Sequence, residues 1–227
     1  PLSDTVHDWG GGQEDLEKRR LRTIGHPTER FNEDHLRLLR AVRLAAQLDF
    51  EIDPATFAAV RDMADHITRV SAERVRDELL KLFRPPHAAR GLDLLHESGL
   101  LAQVLPELLP TVTCEQSPDY HPEGTVYDHI RLMLSKLPAE ASVELPWTAL
   151  LHDIAKPVTQ TECEEGRIHF YGHEKIGADM AQQILQRLRF PNVEIEAIVQ
   201  TVRYHMQFKD APKMRKATLR RMLMRPT

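Results

Sequence analysis

The sequence predicts a mainly α protein, two successive sets of helices with one small β-hairpin in the second. Apolar residues recur at helical spacing, as in Leu36, Leu39 and Val42, which lays them along one face of a helix. Helix-start signals recur too, with Asp53 before Pro54 and Ser71 before Ala72-Glu73. Strand-like alternation is confined to residues 158–170, around Glu164-Glu165-Gly166.

Residues 1–30 are Gly-rich and lack a sustained helical period, so a strand and turns are expected there. Helices are expected over 33–48, 54–67, 71–84 and 87–97, with Pro85-Pro86 breaking the chain between the last two. The polar stretch 111–122, containing Pro118 and Pro122, is the best domain boundary. Beyond it, helices are expected over 124–137, 146–155, 173–189, 192–206 and 213–224, with the hairpin between the second and third. The Gly10-Gly11-Gly12 run lacks the Lys-Ser/Thr ending of a phosphate loop and reads as a turn.

The 227 residues allow one or two domains with a sizeable core, and 41% hydrophobic with 28% charged is ordinary globular composition. Two cysteines, Cys114 and Cys163, make a disulfide framework a poor explanation and point to a reducing, cytoplasmic setting. No apolar run approaches the roughly 20 residues of a membrane span, and no secretory leader is visible, so no membrane partner is expected. The net charge of −4 argues against wholesale nucleic-acid coating. Locally, residues 203–227 carry eight Lys/Arg (Arg203, Lys209, Lys213, Arg215, Lys216, Arg220, Arg221, Arg225) against Asp210. That stretch reads either as a phosphate-tracking patch or as a solvated helix face.

One run carries the most chemistry. Glu33 and Asp34 are followed by Arg37, Arg40 and Arg43. Residues three apart sit on adjacent turns of a helix. Asp34 and the three arginines therefore form a polar stripe, with leucines covering another face. A carboxylate accepts from base amino groups, and a guanidinium donates in a fork that fits base edges and phosphates. A solvated, salt-bridged face is the bland alternative, but three arginines against one carboxylate leave net positive charge, which favours nucleotide binding.

The flanks are Asp8-Trp9-Gly10-Gly11-Gly12-Gln13-Glu14-Asp15-Leu16, Arg19-Arg20-Leu21-Arg22-Thr23-Ile24-Gly25, Pro27 and Arg30-Phe31. Downstream lie Ser71-Ala72-Glu73-Arg74-Val75-Arg76-Asp77-Glu78-Leu79, Gly99-Leu100-Leu101 and Leu105-Pro106-Glu107-Leu108. In that order and spacing, over nearly the whole chain, they resemble the class II tRNA nucleotidyltransferases, which comprise CCA-adding enzymes and bacterial poly(A) polymerases. The resemblance implies a seahorse-shaped enzyme with a Mg²⁺-dependent nucleotidyltransferase head, a helical neck and body, and a tail. It implies that Asp34 and Arg37, beside Glu33, contact the base of CTP or ATP, and that Arg40 and Arg43 complete the nucleotide site. The head's Asp-x-Asp after a Gly-Ser turn would lie upstream of Asp8, and the sequence lacks it and an initiating Met. The expectation is a piece of a longer enzyme, without transferase activity by itself: 1–30 the end of the head, 31–118 neck and body, and 119–227 a further domain cut short at its C-terminus.

In that further domain His129, His152-Asp153, His173 in Tyr171-Gly172-His173-Glu174, and His205 occur in an order that resembles the HD phosphohydrolase superfamily. Imidazole and carboxylate suit divalent metals, and Mg²⁺, Mn²⁺, Ni²⁺, Fe²⁺ and Zn²⁺ are all compatible. Asp153 would act at the metal and Lys156 would hold a phosphate oxygen. HD domains end their ligand set with a further Asp. Asp179 and Asp210 are poorly placed for it, so it is expected past Thr227. A metal-free core in which Asp153 hydrogen-bonds a histidine stays open. His121 lies close to the site with its role unassigned, and His7, His26, His35, His66, His87, His96 and His169 read as structural or surface residues.

Three function classes follow. The first is addition of CCA or A residues to tRNA or other RNA 3′ ends, with this chain selecting ATP or CTP and gripping RNA. The second is a metal-dependent phosphohydrolase, a 2′,3′-cyclic phosphodiesterase or phosphatase. The third is a non-catalytic RNA-binding body. The sequence favours the first, and leaves the choice between CCA, poly(A) and partial addition open, as it does oligomeric state.

Overall fold

A computed structural model describes residues 6–162, 167–208 and 214–217. The chain forms two compact units, residues 1–82 with 90–104, and 83–89 with 105–227. Twelve helices carry nearly all the regular structure among the described residues, so the chain is mainly α as its sequence predicts.

In the first unit, α1 (Gly12–Glu17) leads into β1 (Arg20–Leu21). Then come α2 (Pro27–Glu33), α3 (Leu36–Leu48), β2 (Glu51–Ile52), α4 (Pro54–Asp62), a 3₁₀ turn (Ala64–Arg69) and α5 (Ala72–Leu82). Most of α6 (Ala88–Glu97) and α7 (Leu100–Val104) complete it. β1 and β2 pair in parallel, Arg20 with Glu51 and Leu21 with Ile52. Helix α3 is the core element. Its buried Leu36, Leu38, Leu39, Ala41, Val42, Ala45 and Ala46 pack on α5, which buries Val75, Leu79 and Leu82. Gly91 lets α6 approach α5, since a Cβ there would lie 2.8 Å from the Leu82 side chain.

The second unit begins with a 3₁₀ turn (Pro106–Thr113) and α8 (Val126–Ser135). It continues through α9 (Glu144–Leu151), α10 (Lys156–Thr159), an antiparallel hairpin of β3 (Thr161–Glu162) and β4 (Ile168–His169), α11 (His173–Arg187) and α12 (Asn192–Tyr204). Trp147 on α9 is fully buried, edge-on to Phe83 at 5.6 Å and to Phe190 at 4.8 Å between ring centroids. Helices α11 and α12 pack against each other, and α12 also packs on α9.

Four expectations need correction. The helix expected over 33–48 breaks at Asp34, which is extended (φ −154°, ψ 106°) between α2 and α3. Its carboxylate accepts from the Leu36 amide at 3.1 Å, so a short polar side chain competes with the helical hydrogen bond and starts a new helix instead. Residues 1–30 contain α1 and the start of α2. The Asp8 carboxylate caps α1 from outside by accepting from the Gly10, Gly12 and Gln13 amides, a signal that a search for apolar period passes over. The helix expected over 54–67 is α-helical only to Asp62 before tightening to 3₁₀. The helix expected over 146–155 ends at Leu151, and a second short helix restarts at Lys156-Pro157, where Pro has no N–H to continue the ladder. Cys163, Glu164, Glu165, Gly166, Asp210 and most of the helix expected over 213–224 lie outside the described residues. No helix among the described residues is long and apolar enough to cross a membrane.

Candidate functional site

The acid–arginine run maps to the α2–α3 corner and one face of α3. Asp34 stands at the helix start rather than in it, and Arg37, Arg40 and Arg43 follow at three-residue intervals. Each group is already engaged. Glu33 accepts from Arg30 at 2.8 Å and Arg37 at 2.5 Å, and Arg37 also donates to the Arg30 carbonyl at 2.9 Å. Asp34 is gripped through both oxygens by Arg74 on α5, at 2.9 and 3.1 Å. Burial opposes its ionisation, but the Leu36 amide and the Arg74 guanidinium outweigh that and hold its carboxyl below the usual range. Arg43 and Arg40 donate to the buried Glu78 carboxylate at 2.6 and 3.4 Å, and Lys81 lies 3.6 Å from it. The face is thus split. Asp34 and Arg37 sit part-exposed at its open end, while Arg43 is drawn inward by Glu78. Arg74 and Glu78 lie in the Ser71–Leu79 segment that carries the resemblance but had no role assigned from sequence, because partners 35 to 40 positions apart leave no local pattern.

In the second unit His129, His152, Asp153, His173 and His205 come together, as their order predicts. His129 projects from α8, whose start is fixed by a capping box between Thr125 and Asp128. His152 ends α9, Asp153 follows it, His173 opens α11 and His205 follows α12. The Asp153 carboxylate is the hub. Its Oδ2 lies 3.1 Å from His152 Nε2 and 3.8 Å from His129 Nε2, and its Oδ1 lies 3.3 Å from His173 Nε2 and 3.6 Å from His205 Nε2. Asp153 is 2% exposed. Burial opposes its charge, yet His152, His173 and Lys156 hold its carboxyl well below the usual range.

The histidines are oriented from behind. Nδ1 of His152, His173 and His205 donates to the Ala149, Phe170 and Val202 carbonyls at 2.9, 2.7 and 2.6 Å, and Nδ1 of His129 faces Glu123 at 2.5 Å. A carbonyl only accepts, so Nδ1 of His152, His173 and His205 carries a proton and Nε2 is the nitrogen that turns inward. His173 Nε2 and His205 Nε2 are 3.2 Å apart. When both rings are neutral with Nδ1 protonated, two lone pairs face each other at that distance and repel, and a cation between them turns the repulsion into coordination. The donor set therefore fits a divalent ion, and the proton-donating Nδ1 contacts are the arrangement that orients metal-binding imidazoles. Burial lowers the His129 and His205 pKa values. Burial also opposes charge on His173, but Asp153 and the Phe170 carbonyl raise its pKa overall.

Lys156 is 6% exposed, and its ammonium contacts Asp153 Oδ2 at 2.8 Å and Gln116 Oε1 at 2.6 Å. Glu123 also accepts from His121 at 3.1 Å, and its carboxyl is pulled down to about 2, against the effect of burial, chiefly by the His129 contact. Sequence reasoning missed Gln116 and Glu123. The signal for Glu123 was the segment His121-Pro122-Glu123 just ahead of the α8 cap.

The description "Probable RNA and SrmB- binding site of polymerase A" matches residues 49–111, and "HD domain" matches residues 120–225. The A-adding tRNA nucleotidyltransferase of Deinococcus radiodurans is 37% identical over 206 residues, 86% of this chain and 46% of the relative. The CC-adding tRNA nucleotidyltransferase of Thermus thermophilus is 40% identical over 224 residues, 95% of this chain and 50% of the relative. Among solved structures, the Bacillus stearothermophilus CCA-adding enzyme in complex with CTP aligns with a TM-score of 0.54 at 27% identity, covering 91% of this chain and 42% of that one. The chain spans about half the length of the curated relatives it matches.

Proposed function

We propose, from the premise that the chain belongs to the tRNA nucleotidyltransferase and bacterial poly(A) polymerase family, that it selects the nucleotide and binds RNA in an enzyme adding CCA or A residues to RNA 3′ ends. The observation that carries this reading is the α2–α3 corner, where an ionised Asp34 and the Arg37 fork stand one turn apart at the open end of the face. Asp34 accepts from a base amino group, Arg37 donates to a ring nitrogen or carbonyl, and Glu33 orients Arg37. Arg74 fixes Asp34 from the side, and Arg40 and Arg43, anchored on Glu78, supply positive charge for the phosphates.

The test is CTP against ATP incorporation at a tRNA 3′ end by the whole protein. Charge-assisted hydrogen bonds are worth about 1.5–3 kcal/mol, so Asp34→Ala or Arg37→Ala should reduce discrimination by about tenfold or more. Arg40→Ala and Arg43→Ala should weaken both nucleotides together, because phosphate contacts carry no base information. Unchanged CTP/ATP preference in both Asp34→Ala and Arg37→Ala would contradict the assignment.

The convergence of four Nε2 atoms on Asp153 supports a second activity, metal-dependent hydrolysis of a phosphoester such as a 2′,3′-cyclic phosphate. A divalent ion held by this cluster supplies Lewis acidity and an ionised water near neutral pH. The protein residues do the rest. Backbone carbonyls hold His152, His173 and His205 in the tautomer that faces the centre, and Glu123 does so for His129. Hydrolysis of 2′,3′-cyclic AMP with added Ni²⁺ or Mn²⁺, lost in Asp153→Asn, is the expected result. No hydrolysis with either metal would leave the cluster without this role.

A further inference from the structure

The residues at and after β4 alternate in what they touch. Phe170 turns inward, its ring centroid 5.3 Å from the Lys156 ammonium and its carbonyl accepting from His173 Nδ1 at 2.7 Å. His169 and Tyr171, on either side of it, meet each other instead, with ring centroids 5.1 Å apart and planes within 15°. Successive side chains of an extended chain point to opposite faces, so the pair stands on the face turned away from Lys156. The separation lies within the range of offset stacking. Tyr171 keeps 76% of its surface exposed, and no second ring stacks on it among the described residues. A tyrosine that served only the hairpin would bury its ring. This one presents an aromatic face to solvent, backed by the half-buried imidazole of His169. Two residues of chain span at most about 7 Å, so the Tyr171 backbone stays within that reach of His173. His173 Nε2 is in turn 3.3 Å from Asp153 Oδ1.

We infer that Tyr171, backed by His169, is a stacking platform for the nucleobase next to the terminal one, so that the Asp153 cluster works on the end of an RNA strand in preference to a free nucleotide. The platform stands beside the cluster rather than over it. A phosphoester seated in the cluster keeps its own base close by, whereas the base of the preceding nucleotide is displaced by one step along the strand, toward the neighbouring ring. Every base has a π face, so stacking of this kind reads the presence of a second nucleotide and not its identity. The inference rests on the phosphohydrolase reading of the cluster, and the experiment separates the two.

Hydrolysis of adenosine 2′,3′-cyclic phosphate is compared with that of a diadenylate ending in the same cyclic phosphate, both with added Mn²⁺. Base–aromatic stacking predicts a KM at least about fivefold lower for the diadenylate at similar kcat. That advantage should be lost in Tyr171→Ala and kept in Tyr171→Phe, with the mononucleotide KM unchanged in both variants. Far-UV circular dichroism confirms that each variant keeps its helices. Binding is read without turnover by ¹H NMR in Mg²⁺, titrating the chain with diadenosine 3′-phosphate. Upfield ring-current shifts of the Tyr171 and His169 ring protons are expected, and adenosine 3′-phosphate should not produce them. Equal KM for the two substrates, a diadenylate advantage that survives Tyr171→Ala, or a loss in that variant shared by the mononucleotide overturns the inference while the phosphohydrolase reading stands. If the wild type hydrolyses neither substrate, that reading fails, and the NMR titration decides the platform: shifts at Tyr171 and His169 uphold it as a binding site, and unmoved rings overturn it.

Discussion

Asp34 shows how a residue can be placed correctly by chemistry and wrongly by geometry. Its spacing from Arg37, Arg40 and Arg43 marks it as part of one polar face, yet the backbone leaves the helix at Asp34 because its own carboxylate takes the Leu36 amide. Nothing in the local sequence announces Arg74, which arrives from α5 to hold both oxygens. A carboxyl ¹³C titration should therefore find Asp34 ionising below the ordinary aspartate value of 3.8. Because the folded pKa is depressed, the associated stability is present above the unfolded value and is lost as pH falls through the folded one. A titration at or above 3.8 would show that the Arg74 and Leu36 contacts do not hold in solution. Glu78 makes the companion case. It is 4% exposed and receives two arginines, so Glu78→Ala leaves Arg43 with the neutral Gln47 at 2.7 Å and Arg40 with Asp34 at 4.0 Å. Removing one partner of such a group costs about 3–5 kcal/mol, and the half-exposed Arg40 puts the expected loss near the lower figure. Chemical denaturation of the variant measures it, and a loss below about 1 kcal/mol would mean that the arginines are satisfied by water.

At the scale of elements, the sequence was most legible where period and caps agree. Helix α4 has both the Asp53 cap and Pro54, and Val75 and Leu79 on α5 fall at helical spacing. It was least legible where a side chain caps across a loop, as Asp8 does for α1, or where helices are too short for a period, as in α7 and α10. Helix α8 matters beyond its own stability because its start positions His129. Thr125→Ala removes the cap to the Asp128 amide and should cost about 1 kcal/mol. Ser at the same position should retain most of it, and equal loss in the two variants would place the effect in the Thr methyl group instead. Gly91→Ala tests the α5–α6 approach. Its Cβ would meet the Leu82 side chain at 2.8 Å and the Leu82 carbonyl at 3.2 Å, so repacking should cost about 1–3 kcal/mol despite alanine's better helix propensity. A stabilised variant would show that α5 yields freely.

For the molecule as a whole, the order of chemistry along the chain was readable before its geometry. The histidines and Asp153 come from four separate helix ends, and their sequence order alone pointed to one cluster. Which oxygen faces which ring, and the burial of Lys156 against Gln116, depend on packing between elements distant in sequence and had no sequence signature. The central claim is that nucleotide is read at the α2–α3 corner and a divalent ion is held at the Asp153 cluster. Amide and side-chain NMR of the isotopically labelled chain tests both halves in one titration, first with CTP or ATP and then with Mn²⁺. The account predicts nucleotide-dependent shifts at Asp34, Leu36, Arg37 and Arg74, differing between CTP and ATP, followed by paramagnetic broadening centred on Asp153 and the histidines around it. Nucleotide shifts confined to the histidine cluster, with the α2–α3 corner unmoved at saturating CTP and ATP, would contradict it.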